Sequence, residues 1–266
     1  SDNIRAVYNQ FGPDNSAADS NSGHGTHITG IIVGNGTLDN QTLGIAPAAE
    51  VNFYQIEYDT SGLLARWGTL YSMFSHSLQN QARTHTNAWG SVNQPGQYTA
   101  DSHSADSFIV DQPAYLAIFS GGDIGQNQGA TTTPPGTAKN VLTIGASTTG
   151  MGGTDPQGSV WSNNSGGTLD GRVKPDLVAP GVEICSARAS EATSVAGSDC
   201  SIAIDQDATP LYVTGTGSSM ATAVASGAAL IVREYLGQEL GLTEPDASLV
   251  KAMLINGATD LGQPDI

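Results

Sequence analysis

Short apolar runs of strand length recur along the chain, separated by longer segments of helical or loop character. Residues 51–56 (Val-Asn-Phe-Tyr-Gln-Ile), 115–119, 140–146 and 176–181 are rich in aliphatic and aromatic side chains and flanked by turn-forming residues. Runs this short, apolar on both faces, predict parallel strands covered by helices. Residues 62–83 read as a helix, with Leu63, Trp67, Leu70, Phe74 and Leu78 near helical spacing. Residues 220–240 predict the longest helix. Its first half is small and apolar (Ala221, Ala225, Ala228, Ala229), and it turns amphipathic toward Leu236 and Leu240. A last helix is predicted over 248–257, with Gly257 as its stop. Residues 91–112 are polar and aperiodic, which predicts a surface excursion. Strands alternating with helices predict an α/β fold with a doubly wound parallel sheet, whose ligands sit at the strand carboxyl ends. No internal repeat and no linker divides the chain.

Composition narrows the functional classes. Of 266 residues, 38% are hydrophobic, enough for a sizeable core, and only 13% are charged. The charge is one-sided, with 9 Lys and Arg against 25 Asp and Glu, formally −16. A polyanionic surface repels phosphate backbones and anionic lipid, so nucleic-acid and membrane-surface partners are disfavoured. No apolar run reaches the roughly 18 residues of a membrane span. No signal peptide opens the chain, so any export signal is expected to have been removed or to lie upstream. A Lys-poor chain with 33 glycines fits a secreted or a saline-adapted protein. Cys185 and Cys200 lie fifteen apart, a spacing open to a disulfide-closed loop or to two buried thiols.

Two segments carry candidate chemistry. The first is Ser22-Gly23-His24-Gly25-Thr26-His27-Ile28-Thr29-Gly30. Two histidines three apart could ligate a metal from one helical face, but no Glu or third His follows at a ligand spacing. The second is Thr216-Gly217-Ser218-Ser219-Met220-Ala221-Thr222. It places a serine at the start of a small-residue helix, where N–H groups and the positive dipole end favour developing negative charge. Taken alone, Gly-Ser-Ser is also simply a good helix N-terminus. An unrelated α/β-hydrolase elbow would need Gly-x-Ser-x-Gly, and the second glycine is missing here.

Together the two segments resemble the motifs of the subtilase family of serine proteases. His-Gly-Thr-His-Ile-Thr-Gly is similar to the family's histidine motif, which implies His24 as general base and His27 as structural. Gly-Ser-Ser-Met-Ala-Thr is similar to its nucleophile motif, which implies Ser219 as nucleophile. Residues 44–51, 86–90 and 170–181 resemble further family segments, and the likeness points to larger bacterial subtilisins with a C-terminal β-sandwich. It implies a three-layer α/β subtilisin-like fold with a mostly parallel central sheet flanked by helices. It also implies one catalytic domain over 1–266 and serine endopeptidase activity on protein or peptide substrates. The chemistry needs no cofactor, structural calcium is a family feature, and a secreted, extracellular location is expected.

The departures from the family are as informative. Its triad runs Asp, His, Ser in chain order. Asp2, Asp14 and Asp19 precede His24, but none lies in an apolar strand followed by Thr-Gly or Ser-Gly, and residues 3–8 resemble the family's next strand. The expectation is therefore a domain incomplete at both ends, lacking the strand with the catalytic aspartate and carrying an open slot in its sheet. Asp123 stands where the family places an oxyanion-binding asparagine beside the Ser219 N–H. Ionised, Asp123 only accepts hydrogen bonds; protonated, it could donate one. Losing one such donor in a subtilisin costs roughly 10²–10³ in turnover. Ala223 replaces a usual proline. The resemblance further implies that Ala88, Trp89 and Gly90 form one wall of the pocket for the residue before the scissile bond. Ser120, Gly121 and Gly122 form the other, with Thr133 as floor. Ile124 then tilts the pocket toward apolar side chains. A catalytically silent module that binds extended peptide is the alternative reading.

Overall fold

The computed structural model describes residues 3–16, 18, 20–37, 40–125, 129–149, 158–192, 200 and 211–262. β1 (Ile4–Tyr8) pairs in parallel with β2 (Val51–Tyr54). β3 (Thr84–Asn87), β4 (Leu116–Ser120), β5 (Leu142–Ser147) and β6 (Leu177–Pro180) form a second, all-parallel sheet in that order. β7 (Ile184–Ala187) and β8 (Tyr212–Gly215) form an antiparallel pair that the hydrophobic pattern does not reveal. The helices are α1 (His24–Val33), α2 (Leu70–Gln79), α3 (Ala100–Asp111), α4 (Ser218–Gln238) and α5 (Ala247–Asn256).

Strand alternation builds three layers from β4 and β5, which are buried throughout. Tyr115, Ala117 and Phe119 face Leu70, Phe74 and Phe108 of α2 and α3. Leu116 and Ile118, with Leu142 and Ile144, face Ala221, Ala225, Ala229 and Leu236 of α4 and Val250 of α5. A period of two inside an unbroken apolar run thus serves both helical layers at once. α1 joins the second layer by packing Ile28, Ile31 and Ile32 beside Met220 and Ala223.

Two expectations are corrected. The helix read over 62–83 begins only at Leu70. Thr69 and Ser72 cap each other's backbone N–H there, and Leu63 and Trp67 lie outside the helix, 70% and 66% exposed. The surface excursion read over 91–112 contains α3, opened by a second capping box between Thr99 and Ser102. Its buried face includes Ser102 and Asp106 as well as Ala105, Phe108 and Ile109. Those polar groups are satisfied from neighbouring loops: Ser102 by Thr137, and Asp106 by the Lys139 and Asn140 N–H groups and the Tyr98 hydroxyl. Hydrophobic periodicity cannot register a face of this kind.

A buried ion cluster ties β5 and β6 to α5. Lys174, 3% exposed at its side chain, donates to Asp176 at 2.7 Å, and Lys251 donates to the other carboxylate oxygen at 2.8 Å. The Thr143 N–H adds a bond to Asp176 at 2.7 Å. Burial lowers the Lys174 pKa to about 8. Burial also works to raise that of Asp176, but the two lysines outweigh it and leave it below the usual carboxylate value. Asp176→Asn should leave two lysines without their counter-charge and cost about 3–5 kcal/mol in urea unfolding at pH 7. Because the folded pKa of Asp176 lies below the unfolded one, its contribution is complete above the ordinary carboxylate range. It is lost as pH falls through the lowered value, so wild type and variant should converge in strong acid. A difference below about 1 kcal/mol at pH 7 would contradict this account of the cluster.

Candidate active site

The first turn of α4 is held at the carboxyl ends of the central strands. Gly217, just before the helix, donates its N–H to the Gly181 carbonyl beyond β6 at 2.8 Å. Its φ of 151° lies in a region that only glycine takes readily. A side chain would also have no room there, since its Cβ would fall 2.7 Å from Asp123 Oδ2. Ser219 is the second residue of α4, within the turn whose N–H groups have no helical acceptor. Its hydroxyl donates to the Ala88 carbonyl at 3.0 Å.

His24 is the first residue of α1, and its N–H donates to Ser22 Oγ at 3.2 Å. His27, one turn on, is buried, and its Nε2 meets the Val213 carbonyl at 3.1 Å. Burial lowers its pKa and keeps it neutral, a tie between α1 and β8. The two histidines therefore serve different surroundings. Among the described residues, no three His, Cys, Asp or Glu side chains gather where they could hold a metal ion.

His24, Asp123, Arg188 and Ser219 line one cavity of about 240 Å³, together with Val213 and Thr216. Asp123 is exposed as a residue, but its carboxylate is wedged against the start of α4 and accepts the Ser218 N–H at 2.8 Å. That local desolvation raises its pKa above the usual carboxylate value, and the hydrogen bonds from Ser218 partly offset the rise. The Ser218 hydroxyl in turn accepts the Gly122 N–H at 3.1 Å.

The other residues singled out in the sequence cluster next to this cavity. Trp89 packs edge-on to Phe119, and Thr133 is buried between Gly90 and Gly122, bonded to the Gly121 carbonyl at 3.2 Å. Ser120 is buried at the end of β4, while half-buried Ile124 is pinned through its N–H to Ser165 Oγ at 3.0 Å. Cys185 and Cys200 form a disulfide with Cα atoms 5.7 Å apart. The segment it closes carries Arg188 and sets Ala189 and Ala192 against Gly23. Arg188 escaped the motif reading because it lies in a Ser- and Ala-rich stretch. Its rarity, as one of nine basic residues, was the available signal.

A second cavity, of about 740 Å³, separates β2 from β3 and reaches His24. Residues 51–57 form one wall, residues 84–86 and 88–90 the other, and Gly25, Ile28 and Ile32 of α1 part of the floor. Among the described residues no strand lies between these two edges. Asn52 Oδ1, Thr84 Oγ1 and Arg233 Nε are buried there without hydrogen-bond partners among the described residues. Asp14 is committed to Ser16, Gln55 and Asp59. Asp2 and Asp19 lie outside the described residues.

The profile of the subtilase family matches residues 2–266. The chain belongs to the subtilase family. Among curated subtilase relatives, it is 28% identical to the serine protease/ABC transporter B family protein tagA of Dictyostelium discoideum over 91% of this chain and 19% of that protein. It is 30% identical to subtilisin-like protease 5 of Arthroderma otae over 69% of this chain and 41% of that one. It thus spans about a fifth and about two fifths of these relatives' lengths. The protease domain of PatA superposes with a TM-score of 0.71 at 18% identity, covering 98% of this chain and 82% of that domain. A cold adapted subtilisin-like serine proteinase gives 0.65 at 22%, covering 97% and 77%. These likenesses establish the subtilisin-like three-layer fold.

The conformation of Gly217 yields a direct test of this subtilase site. Gly217→Ala must adopt a strained φ and displace Asp123 from α4, at a cost of about 1–3 kcal/mol read by thermal or urea unfolding. Unchanged stability would show that the turn before α4 relaxes freely.

Proposed function

We propose that this chain is the catalytic part of a subtilisin-like serine endopeptidase. The observation that carries the reading is the convergence of His24 and Ser219, from the first turns of α1 and α4, on one cavity at the strand carboxyl ends. In the proposed reaction, Ser219 Oγ turns from Ala88 toward His24, gives up its proton to the imidazole and attacks the substrate carbonyl. The oxyanion develops at the α4 N-terminus, where the Ser219 N–H donates to it. Residues 88–90 and 120–122 bind the acyl side of an extended peptide above Thr133, with Ile124 favouring apolar side chains. The substrates are proteins or peptides met outside the cell, in keeping with a disulfide beside the site. No described helix is long and apolar enough to cross a membrane.

The carboxylate that orients His24 comes, on this reading, from an extended segment seated between β2 and β3. Two facing strand edges and the unpartnered polar atoms between them support that placement. A fluorophosphonate probe tests it. Residues 1–266 preceded by an upstream strand bearing Asp-Thr-Gly should label at Ser219 up to about 10⁴-fold faster than residues 1–266 alone. Ser219→Ala and His24→Ala should abolish that labelling. Equal, rapid labelling of both chains would show that another carboxylate serves. The absence of labelling in either would favour the alternative, a silent peptide-binding module, for which the acceptor role of Asp123 speaks.

Asp123 sets the pH dependence of the proposed enzyme. It can donate to the oxyanion only when protonated, whereas His24 must be neutral to act as base. Unperturbed, aspartate ionises roughly 2.5 units below histidine. The raised pKa of Asp123 narrows that conflict and shifts the expected activity toward lower pH, with a depressed maximum. Asp123→Asn should raise turnover most at neutral and alkaline pH and least in acid. Superimposable pH–rate profiles would remove Asp123 from the oxyanion site.

A further inference from the structure

We infer that Arg188 is a specificity residue that selects a carboxylate on the leaving-group side of the scissile bond, an inference that rests on the proteolytic reading of Ser219. The basis is an accounting of the nine basic side chains in a chain of net charge −16. Arg5, Arg66, Arg83, Arg172, Lys174 and Lys251 each pair with an acidic residue. Arg233 donates to the Arg83 and Ala114 carbonyls, and Lys139 lies over the Tyr98 ring. Arg188 makes no ion pair, side-chain hydrogen bond or ring contact among the described residues. Among the described residues it is also the only Lys or Arg lining the cavity that holds His24 and Ser219.

Its place is built rather than incidental. The Arg188 N–H is anchored to the Leu211 carbonyl at 2.8 Å, the disulfide at Cys185 fixes the strand that leads to it, and neighbouring Ala189 packs on Gly23. The cavity lies on the β7–β8 side of Ser219, lined by Val213, Gly215 and Thr216. Ala88, Trp89 and Gly90, proposed to hold the acyl side, line the other cavity that meets His24. A peptide crossing Ser219 from residues 88–90 therefore delivers its leaving-group residues toward Arg188. An arginine that lines this cavity and makes no side-chain pairing among the described residues is matched by a carboxylate, which its guanidinium can bind with two parallel hydrogen bonds. Asp123 lines the same cavity, so an acidic guest needs Arg188 to offset a neighbouring negative charge. The carboxylate has two sources, an Asp or Glu side chain just after the scissile bond or the C-terminus of a short substrate.

The test uses the full chain carrying Ser219→Ala and fluorescent peptides in four matched forms. These have Glu or Gln as the first residue after the scissile position, each with a free or an amidated C-terminus. The expected result is a preference of about tenfold for a carboxylate-bearing form. Preference for Glu identifies the side chain as its source, and preference for the free acid identifies the terminus. Arg188→Lys should keep part of the preference, Arg188→Gln should reduce the ratio to about one, and Arg188→Glu should invert it toward a Lys-bearing peptide. Fluorophosphonate labelling of Ser219, in residues 1–266 both alone and preceded by the upstream Asp-Thr-Gly strand, separates the two ideas, with no labelling meaning none in either chain. Labelling together with equal binding of all four forms overturns the role of Arg188 alone. A carboxylate preference that survives Arg188→Glu does the same. No labelling, with the preference intact and dependent on Arg188, overturns the protease and leaves a carboxylate-selective peptide site. No binding of any peptide overturns both.

Discussion

The site depends on how closely α4 can approach its neighbours. The helix presents Ala221, Ala225 and Ala229 to the central strands and Ala223 to α1. It passes Ile45 at Gly227, where even a Cβ would lie 2.5 Å from the Ile45 Cβ. Glycine and serine weaken a helix by up to about 1 kcal/mol per residue relative to alanine, so this sequence is not chosen for helicity. It is chosen for distance. Only at this separation can Gly217 reach the Gly181 carbonyl and Ser218 reach Asp123, which together fix the height of Ser219 above the sheet. Larger side chains anywhere on that face would lift the first turn away from its two anchors.

The same anchoring creates an electrostatic tension. A helix N-terminus favours an anion, and the Asp123 carboxyl group already accepts the Ser218 N–H there at 2.8 Å. A serine protease needs that terminus for an anion that appears only in the transition state. An asparagine would leave the region neutral and offer a donor, whereas aspartate neutralises the dipole and, when ionised, offers none. Desolvation of Asp123 against Gly217 and Ser218 works in the opposite direction, making its protonated form more accessible. On the proposed reading, a single residue would thus set stability of the helix start against stabilisation of an oxyanion, with pH as the arbiter.

The sequence disclosed most where one physical signal dominated. Unbroken apolar runs marked β2, β4, β5 and β6, and a glycine-serine start to an alanine-rich segment marked α4 with Ser219 at its head. It disclosed less where compensation was long-range. α3 buries Asp106, whose partners Lys139 and Asn140 are more than thirty residues away, so no local pattern could make that face look buried. Leu63 and Trp67 matched helical spacing by chance, and the Thr69–Ser72 capping box set the true start of α2. The β7–β8 pair is made of short, half-polar strands held by a disulfide and by His27, neither of which alters hydrophobic periodicity. Arg188 offered no local signal for a related reason, because the role proposed for it rests on the contacts that the other basic residues make.

The split between β2 and β3 bears on how fold and activity are coupled. Facing strand edges carry backbone groups that cost free energy when dry and unpaired. Here they border a space of about 740 Å³. α1 packs on α4 through Ile28, Ile31 and Ile32 and lines this space from below. The same geometry suits an added strand, whose backbone would pair both edges with two ladders of hydrogen bonds. Such a strand would order the floor beneath His24 and the Thr84–Asn87 edge that leads into Ala88, the residue now holding the Ser219 hydroxyl. Completion of the sheet and alignment of the base with the nucleophile would then be one event, because His24 borders both cavities and residues 88–90 join the wall of the slot to the proposed substrate wall.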